Sequence, residues 1–159
     1  MTTSTTIPWI KVALTATIAT GTAIWGWFGW LALIWLVCMA LDYLSGSIAA
    51  LRTHEWSSDK AREGLLHKGG QLLVAAVAVL LDALIGIVLK STGIKLPWNY
   101  TVLFAPLVIV WYSLTELGSI AENAHKLGAP LPEWLRKALK IAKDSVDQTG
   151  EDLTGKDDT

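Results

Sequence analysis

One cysteine, three histidines and few charges set the first limits on this chain of 159 residues. The lone Cys38 excludes an intramolecular disulfide framework and any multi-cysteine metal site, and is expected to be a small core residue. His54, His67 and His125 are scattered, with no i, i+4 pair to hold a metal. There is no Gly-rich phosphate loop, no HExxH and no nucleophile–His–acid set within one apolar region, so nothing points to an enzyme or to a cofactor. Charged residues are 17% of the chain, against roughly 25% in a typical soluble domain. A net charge of −1 carries no basic field for nucleic acid.

What the chain has in excess is apolar length. Hydrophobic residues make up 52% and mean hydropathy is +0.43. From Val12 to Leu41, 30 residues pass without Asp, Glu, Lys or Arg, and from Leu96 to Thr115 another 20. A soluble domain of this size lacks the interior to hide such runs, whereas about 20 apolar residues make one helical crossing of a bilayer. The pattern predicts an all-α integral membrane protein. A cleaved leader fits poorly, because only Lys11 precedes the apolar stretch, which runs on past any small-residue cut.

The tract from Val12 to Leu51 contains one charge, Asp42. As one helix it would measure roughly 60 Å, about twice the hydrocarbon thickness. Two crossings that reverse within Trp25–Trp30, where Gly26 and Gly29 permit a turn, fit better than one long tilted helix. We therefore expect about four transmembrane helices, near 10–26, 30–51, 69–89 and 98–116, with Pro106 kinking the last. Three are possible if the first segment only lies in the interface. The chain divides into an N-terminal segment (1–9), a transmembrane helical domain (10–116) with a polar loop at 52–68 that has room for a short helix starting near Ser57 or Ser58, a helical extension (117–147) and a disordered tail (148–159). The 52–68 loop carries four Lys or Arg and the chain from Leu117 onward six, against none in the 26–29 turn and two in 90–97. That asymmetry places the loop, the extension and both termini on the cytoplasmic side.

Three acids sit in or at the ends of apolar segments: Asp42, Asp82 and Glu116. A charge at mid-bilayer costs about 2.5–3.5 kcal/mol, so such groups face protein or water. Their neighbours at helical spacing form small or polar seams: Lys11, Thr15, Ala19, Thr22 and Gly26; Cys38, Asp42, Ser45 and Ala49, beside Gly46; Gln71, Ala75, Ala78, Asp82 and Gly86; Tyr112, Glu116, Ser119 and Asn123. These seams either pack helices in a compact bundle or line water in an oligomer. Asp82, deepest from either end, is the best of the acids for a functional role. The tryptophans suit interfacial anchoring. Beyond Pro130 and Pro132, residues 133–146 read as an amphipathic helix with Trp134, Leu135, Ile141 and Val146 opposed to Arg136, Lys137, Lys140 and Lys143. Such a helix suits an anionic inner leaflet or, equally, the 52–68 loop of a neighbouring subunit; either place is outside the hydrocarbon, where it would set timing.

Specific residues add a resemblance. Asp42-Tyr43-Leu44-Ser45-Gly46, a charged loop, and Lys68-Gly69-Gly70 leading into a span with Leu81-Asp82 resemble the phage holin family that includes the clostridial toxin-secretion holins. Near the C-terminus, Glu116, Ser119, Glu122, Asn123, Gly128, Pro130 and Pro132 are similar to that family's Glu…Ser-Ile…Glu-Asn…Gly-x-Pro-x-Pro signature. The resemblance implies a non-enzymatic homo-oligomer of the bacterial cytoplasmic membrane, with lipid and its own copies as partners. It would open lesions that release an endolysin without necessarily touching it, dissipate the proton-motive force and so lyse the host. A membrane scaffold that binds a cytoplasmic partner, or a small transporter using the intramembrane acids, are the competing readings.

Overall fold

Four α-helices and no strand make up the described residues, 6–93 and 102–155, of the computed structural model. They are α1 (Thr6–Arg52), α2 (Ser58–Thr92), α3 (Phe104–Lys126) and α4 (Glu133–Thr154). Three stretches are long and apolar enough to cross a membrane: Gly26–Arg52, Ser58–Thr92 and Phe104–Lys126. The seam expected on 11–26 lies largely outside the residues whose side chains are described.

The turn expected over 25–30 is reduced to one residue. Helix continues on both sides of Gly26, which alone departs from helical geometry at φ 59°, ψ −166°. That conformation is open essentially to glycine alone, because a Cβ would collide with the backbone. A single permissive residue therefore breaks the long apolar helix without a loop.

In the polar segment 52–68 a helix does start at Ser58, as expected, but it is the first part of the long α2 and not a short helix within a loop. Residues 53–57 connect the helices, and α2 begins at Ser58. Ser57 caps it, its hydroxyl accepting from the Lys60 N–H at 3.2 Å, and Asp59 lies in the first turn, where the helix dipole favours an acid. The charges of 58–68 thus ride on the first turns of a helix that becomes apolar after Lys68. Pro106 does not kink α3, because it falls in the first turn, where its missing N–H would have had no intrahelical partner. The expected span start at 98 precedes the described part of this helix. Nor is the tail uniformly disordered: α4 continues to Thr154.

Contacts fix the directions. Trp35 stacks on Tyr112 with ring centroids 5.9 Å apart, Asn123 reaches Ser45, and Arg52 Nη1 donates to the Leu127 carbonyl, so α1 and α3 run parallel. Gln71 meets Glu116 and Asp82 meets the start of α3, so α2 runs antiparallel to both. The interior at mid-height is Trp35, Met39, Ala75 and Ile109, flanked by Phe28, Leu31, Ala32, Val108 and Tyr112. Trp35 is therefore core, whereas Trp27, Trp56 and Trp134 are exposed. Cys38 is buried, as expected. Outside, Leu33, Val37, Leu41, Leu44 and Ile48 on α1 and Leu73, Val77, Leu80, Leu84 and Ile87 on α2 stand exposed. An apolar surface of that extent is stable only against lipid or another apolar surface.

α4 neither lies apart nor packs on the 53–57 connection. It folds back antiparallel along α3: Gly150 sits beside Leu107, Asp147 accepts from Trp111 Nε1 at 2.5 Å, and Lys143 Nζ lies 4.2 Å from the Trp111 ring centre. The residues half-buried by this contact are Leu135, Leu139, Ala142, Val146 and Gly150. Trp134 and Ile141, expected on the same apolar face, are left 69% and 65% exposed. The face that docks is set by a stripe one position away from the bulkiest side chains. With α1, α2 and α4 around it, α3 has no exposed residue from Phe104 to Glu116.

Candidate functional site: a buried charge network

Two of the three acids converge on one lysine. Lys68 Nζ lies 2.6 Å from Asp42 Oδ2 and is also in contact with Glu116 Oε2. Glu116 is 1% exposed, and Gln71 Nε2 donates to its second oxygen, Oε1, at 2.7 Å. Asn123 Nδ2 donates to Asp42 Oδ1 at 3.3 Å and to Ser45 Oγ at 3.2 Å, while Ser45 Oγ donates to the Asp42 carbonyl at 3.1 Å. One residue set, drawn from α1, α2 and α3, ties the bundle together near its basic end.

The local sequence explains each position. Asp42 and Ser45 share one face of α1 by their i, i+3 spacing, and Glu116 and Asn123 share one face of α3 at i, i+7. Lys68 and Gln71 are i, i+3 on α2. Gly46 lets α1 and α3 close: a Cβ there would stand 3.4 Å from Asn123 Nδ2, tighter than most packed carbons allow. A buried carboxylate without a partner is strongly disfavoured, so the network is held by need as much as by attraction. One cation faces two carboxylates, which makes the set electrically unbalanced in favour of negative charge.

A cleft of 310 Å³ opens beside the network toward the basic end, lined by Asp42, Tyr43, Gly46, Lys60, Lys68, Ser119, Glu122 and Asn123 among others. Tyr43 and Glu122 border it without joining the ion pairs itemised above. Gly128, at φ 95°, ends α3 against the Arg52 guanidinium. Pro130 is exposed in the connection, and Pro132 sits at the N-cap of α4, where a residue without an N–H is no handicap. Among the described residues no group of three His, Cys, Asp or Glu converges to hold a metal.

Asp82 is elsewhere and has a different task. Its Oδ1 accepts from the N–H groups of Leu103 and Phe104 at 3.1 and 3.0 Å, and its Oδ2 from Ala105 at 2.8 Å. It therefore caps α3 across the helix interface, satisfying N–H groups that have no intrahelical acceptor, next to the positive end of the helix dipole. Leu103, the N-cap residue, provides no side-chain cap of its own. The structure thus gives the deepest acid a packing role. Ala75 and Ala78, on the same seam, are buried against neighbouring helices, while Gly86 borders a small cleft with Phe28 and Ala105. Of the two readings of the seams, packing within one bundle accounts for Gln71, Ala75, Ala78, Asp82 and Glu116, which are buried inside the chain.

Lys68 was legible only as part of a motif, not as the hub. The signal was available: two acids at the ends of apolar runs require a cation, and Lys68 is the basic residue at the threshold of Gly69–Leu89.

Comparison with known proteins adds a relationship to this geometry. The profile described as "Bacteriophage holin family" matches residues 19–144. An uncharacterized protein of Clostridium perfringens (strain 13 / Type A) is 38% identical over 105 residues, covering 66% of this chain and 69% of that protein. An uncharacterized 14.9 kDa protein from the nagH 3′ region of C. perfringens is also 38% identical over 105 residues, covering 66% and 70%. An uncharacterized protein of Halalkalibacterium halodurans is 32% identical over 110 residues, covering 69% and 76%. No solved structure matches the chain.

Proposed function

We propose that this chain, which belongs to the bacteriophage holin family, accumulates as a homo-oligomer in the bacterial cytoplasmic membrane and opens lesions in it. Through them an endolysin escapes and the proton-motive force collapses, so the host cell lyses. The family is not one of enzymes, and the reading needs no catalytic residue or cofactor. The observation that carries it is the distribution of polarity over the helices. α1 and α2 present apolar side chains outward, while Asp42, Lys68 and Glu116 close on one another inside. That distribution supports a body that resides in lipid with its polar groups turned inward.

The bundle's basic end, with Arg52, Lys60, Arg62 and Lys126, faces the cytoplasm in this proposal. A reporter fused at Met1 then separates the topologies: a cytoplasmic signal supports four crossings and an external one supports three. Inducible expression in bacteria, following membrane potential, viability and release of a cytoplasmic enzyme, tests the function. Depolarisation with enzyme release is expected. Cells that stay fully energised would overturn it in favour of a scaffold, and ion-dependent solute flux without lethality in favour of a transporter.

A further inference from the structure

α4 lies alongside α3, one of the three helices long and apolar enough to cross a membrane. Its second half runs beside the first turns of α3, with Gly150 next to Leu107 and Asp147 bonded to Trp111. Facing away from α3 along it are Lys137, Asp144, Gln148, Glu151 and Asp152, all exposed, with Trp134 and Ile141 beside them. Lipid chains cannot cover the charged C-terminal part of that face, Asp144 to Asp152, because charged groups in hydrocarbon are strongly penalised. Water can. The strip of α3 beneath it, Leu107, Trp111 and Leu114, suits lipid when α4 is absent.

The order of charges along α4 points the same way. Arg136, Lys137, Lys140 and Lys143 occupy its N-terminal half, and Asp144, Asp147, Glu151 and Asp152 its C-terminal half. A helix dipole favours the opposite order, so local helix stability does not account for it. Depth does. Antiparallel docking leaves the basic half at the Lys/Arg-rich end of the bundle and carries the acidic half toward the other end. The connection that would let α4 move is short and pinned at one side, with Arg52 holding Leu127 and Gly128 at φ 95°.

We propose that α4, docked along α3, supplies the water-facing wall of the lesion, and that before opening it lies off α3 at the cytoplasmic surface. This rests on the lesion-forming function above. The docked state is stable in a bilayer only where neighbouring copies enclose water against the outer face of α4. Assembly and docking are therefore coupled, and the acidic half makes the far end of the path favour cations.

The test uses the full chain with Cys38→Ser and the pair Leu107→Cys, Gly150→Cys, whose side chains would meet only in the docked state. Expressed in bacteria and exposed to a mild oxidant at intervals, the pair should remain open before depolarisation and close into an intramolecular disulfide as the membrane depolarises. Separately, purified chain carrying Asp144→Lys and Glu151→Lys, in planar bilayers of phosphatidylethanolamine and phosphatidylglycerol under a KCl gradient, should shift the reversal potential toward anion selectivity. Depolarised membranes in which the pair never closes, or an unchanged reversal potential, would overturn the proposal and leave the holin reading intact. Absence of depolarisation and conductance with the unsubstituted chain would instead overturn the holin reading itself.

Discussion

Removing the Lys68 ammonium should unlock the bundle. In Lys68→Met the chain length and apolar stem are kept, but Asp42 and Glu116 lose their shared cation. Glu116 bears most of the cost, since its side chain is 1% accessible, against 12% for Lys68 and 16% for Asp42. Breaking a buried pair by deleting one partner costs about 3–5 kcal/mol, because a charge is left without compensation. The Asp42 side, part-buried but bordering the cleft, keeps some access to water once Lys68 is gone and so adds less than Glu116. At tenfold per 1.4 kcal/mol, the folding equilibrium constant of α1–α3 should fall roughly 10²- to 10⁴-fold. The second variant, Lys68→Met with Glu116→Gln, removes the orphaned charge while keeping an oxygen to accept from Gln71, and should recover most of the loss. Titration of micellar protein with dodecyl sulfate, followed by the fluorescence of the Trp35–Tyr112 pair and other tryptophans, measures both. The reasoning is refuted if Lys68→Met unfolds like the unsubstituted chain, or if the double variant is no more stable than the single.

Three further outcomes follow from the same geometry. Asp82→Asn keeps one acceptor oxygen for the start of α3 and should cost about 1 kcal/mol, whereas Asp82→Leu orphans the Leu103–Ala105 amides and should cost more; amide hydrogen exchange at those three residues reports it. Gly46→Leu should push α1 from α3 and cost about 1–3 kcal/mol, with Gly46→Ala milder, because only the first carbon nearly fits beside Asn123; detergent unfolding midpoints rank the two. Gly26→Ala has open space around its Cβ, so its cost of about 1–3 kcal/mol comes from backbone geometry alone; spin-label distances across the break should shift toward those of a straighter helix.

The amino-acid sequence by itself determined the class of molecule and much of its plan. Thirty uncharged residues, and then twenty more, require helices in lipid, since every backbone group must find a partner within its own segment. Helical spacing put Asp42 with Ser45, Gln71 with Ala75 and Ala78, and Glu116 with Asn123, because residues three, four and seven apart lie on one face. What spacing along one helix cannot contain is which face meets which. Lys68 joining Asp42 to Glu116 spans separations of 26 and 48 residues, and depends on α1 and α3 running parallel with α2 between their polar ends. Asp82 looked functional because the donors its carboxylate accepts from, the N–H groups of residues 103–105, belong to a helix that arrives from elsewhere in the chain. A helix start near Ser58 was legible from its capping serine, but charge marks exposure only, and exposure does not tell a short helix in a loop from the hydrated end of a long one. The helix from Glu133 was legible too, and what its spacing could not contain was its docking: only the packing of Val146 and Gly150 on α3 set its charged face alongside a span.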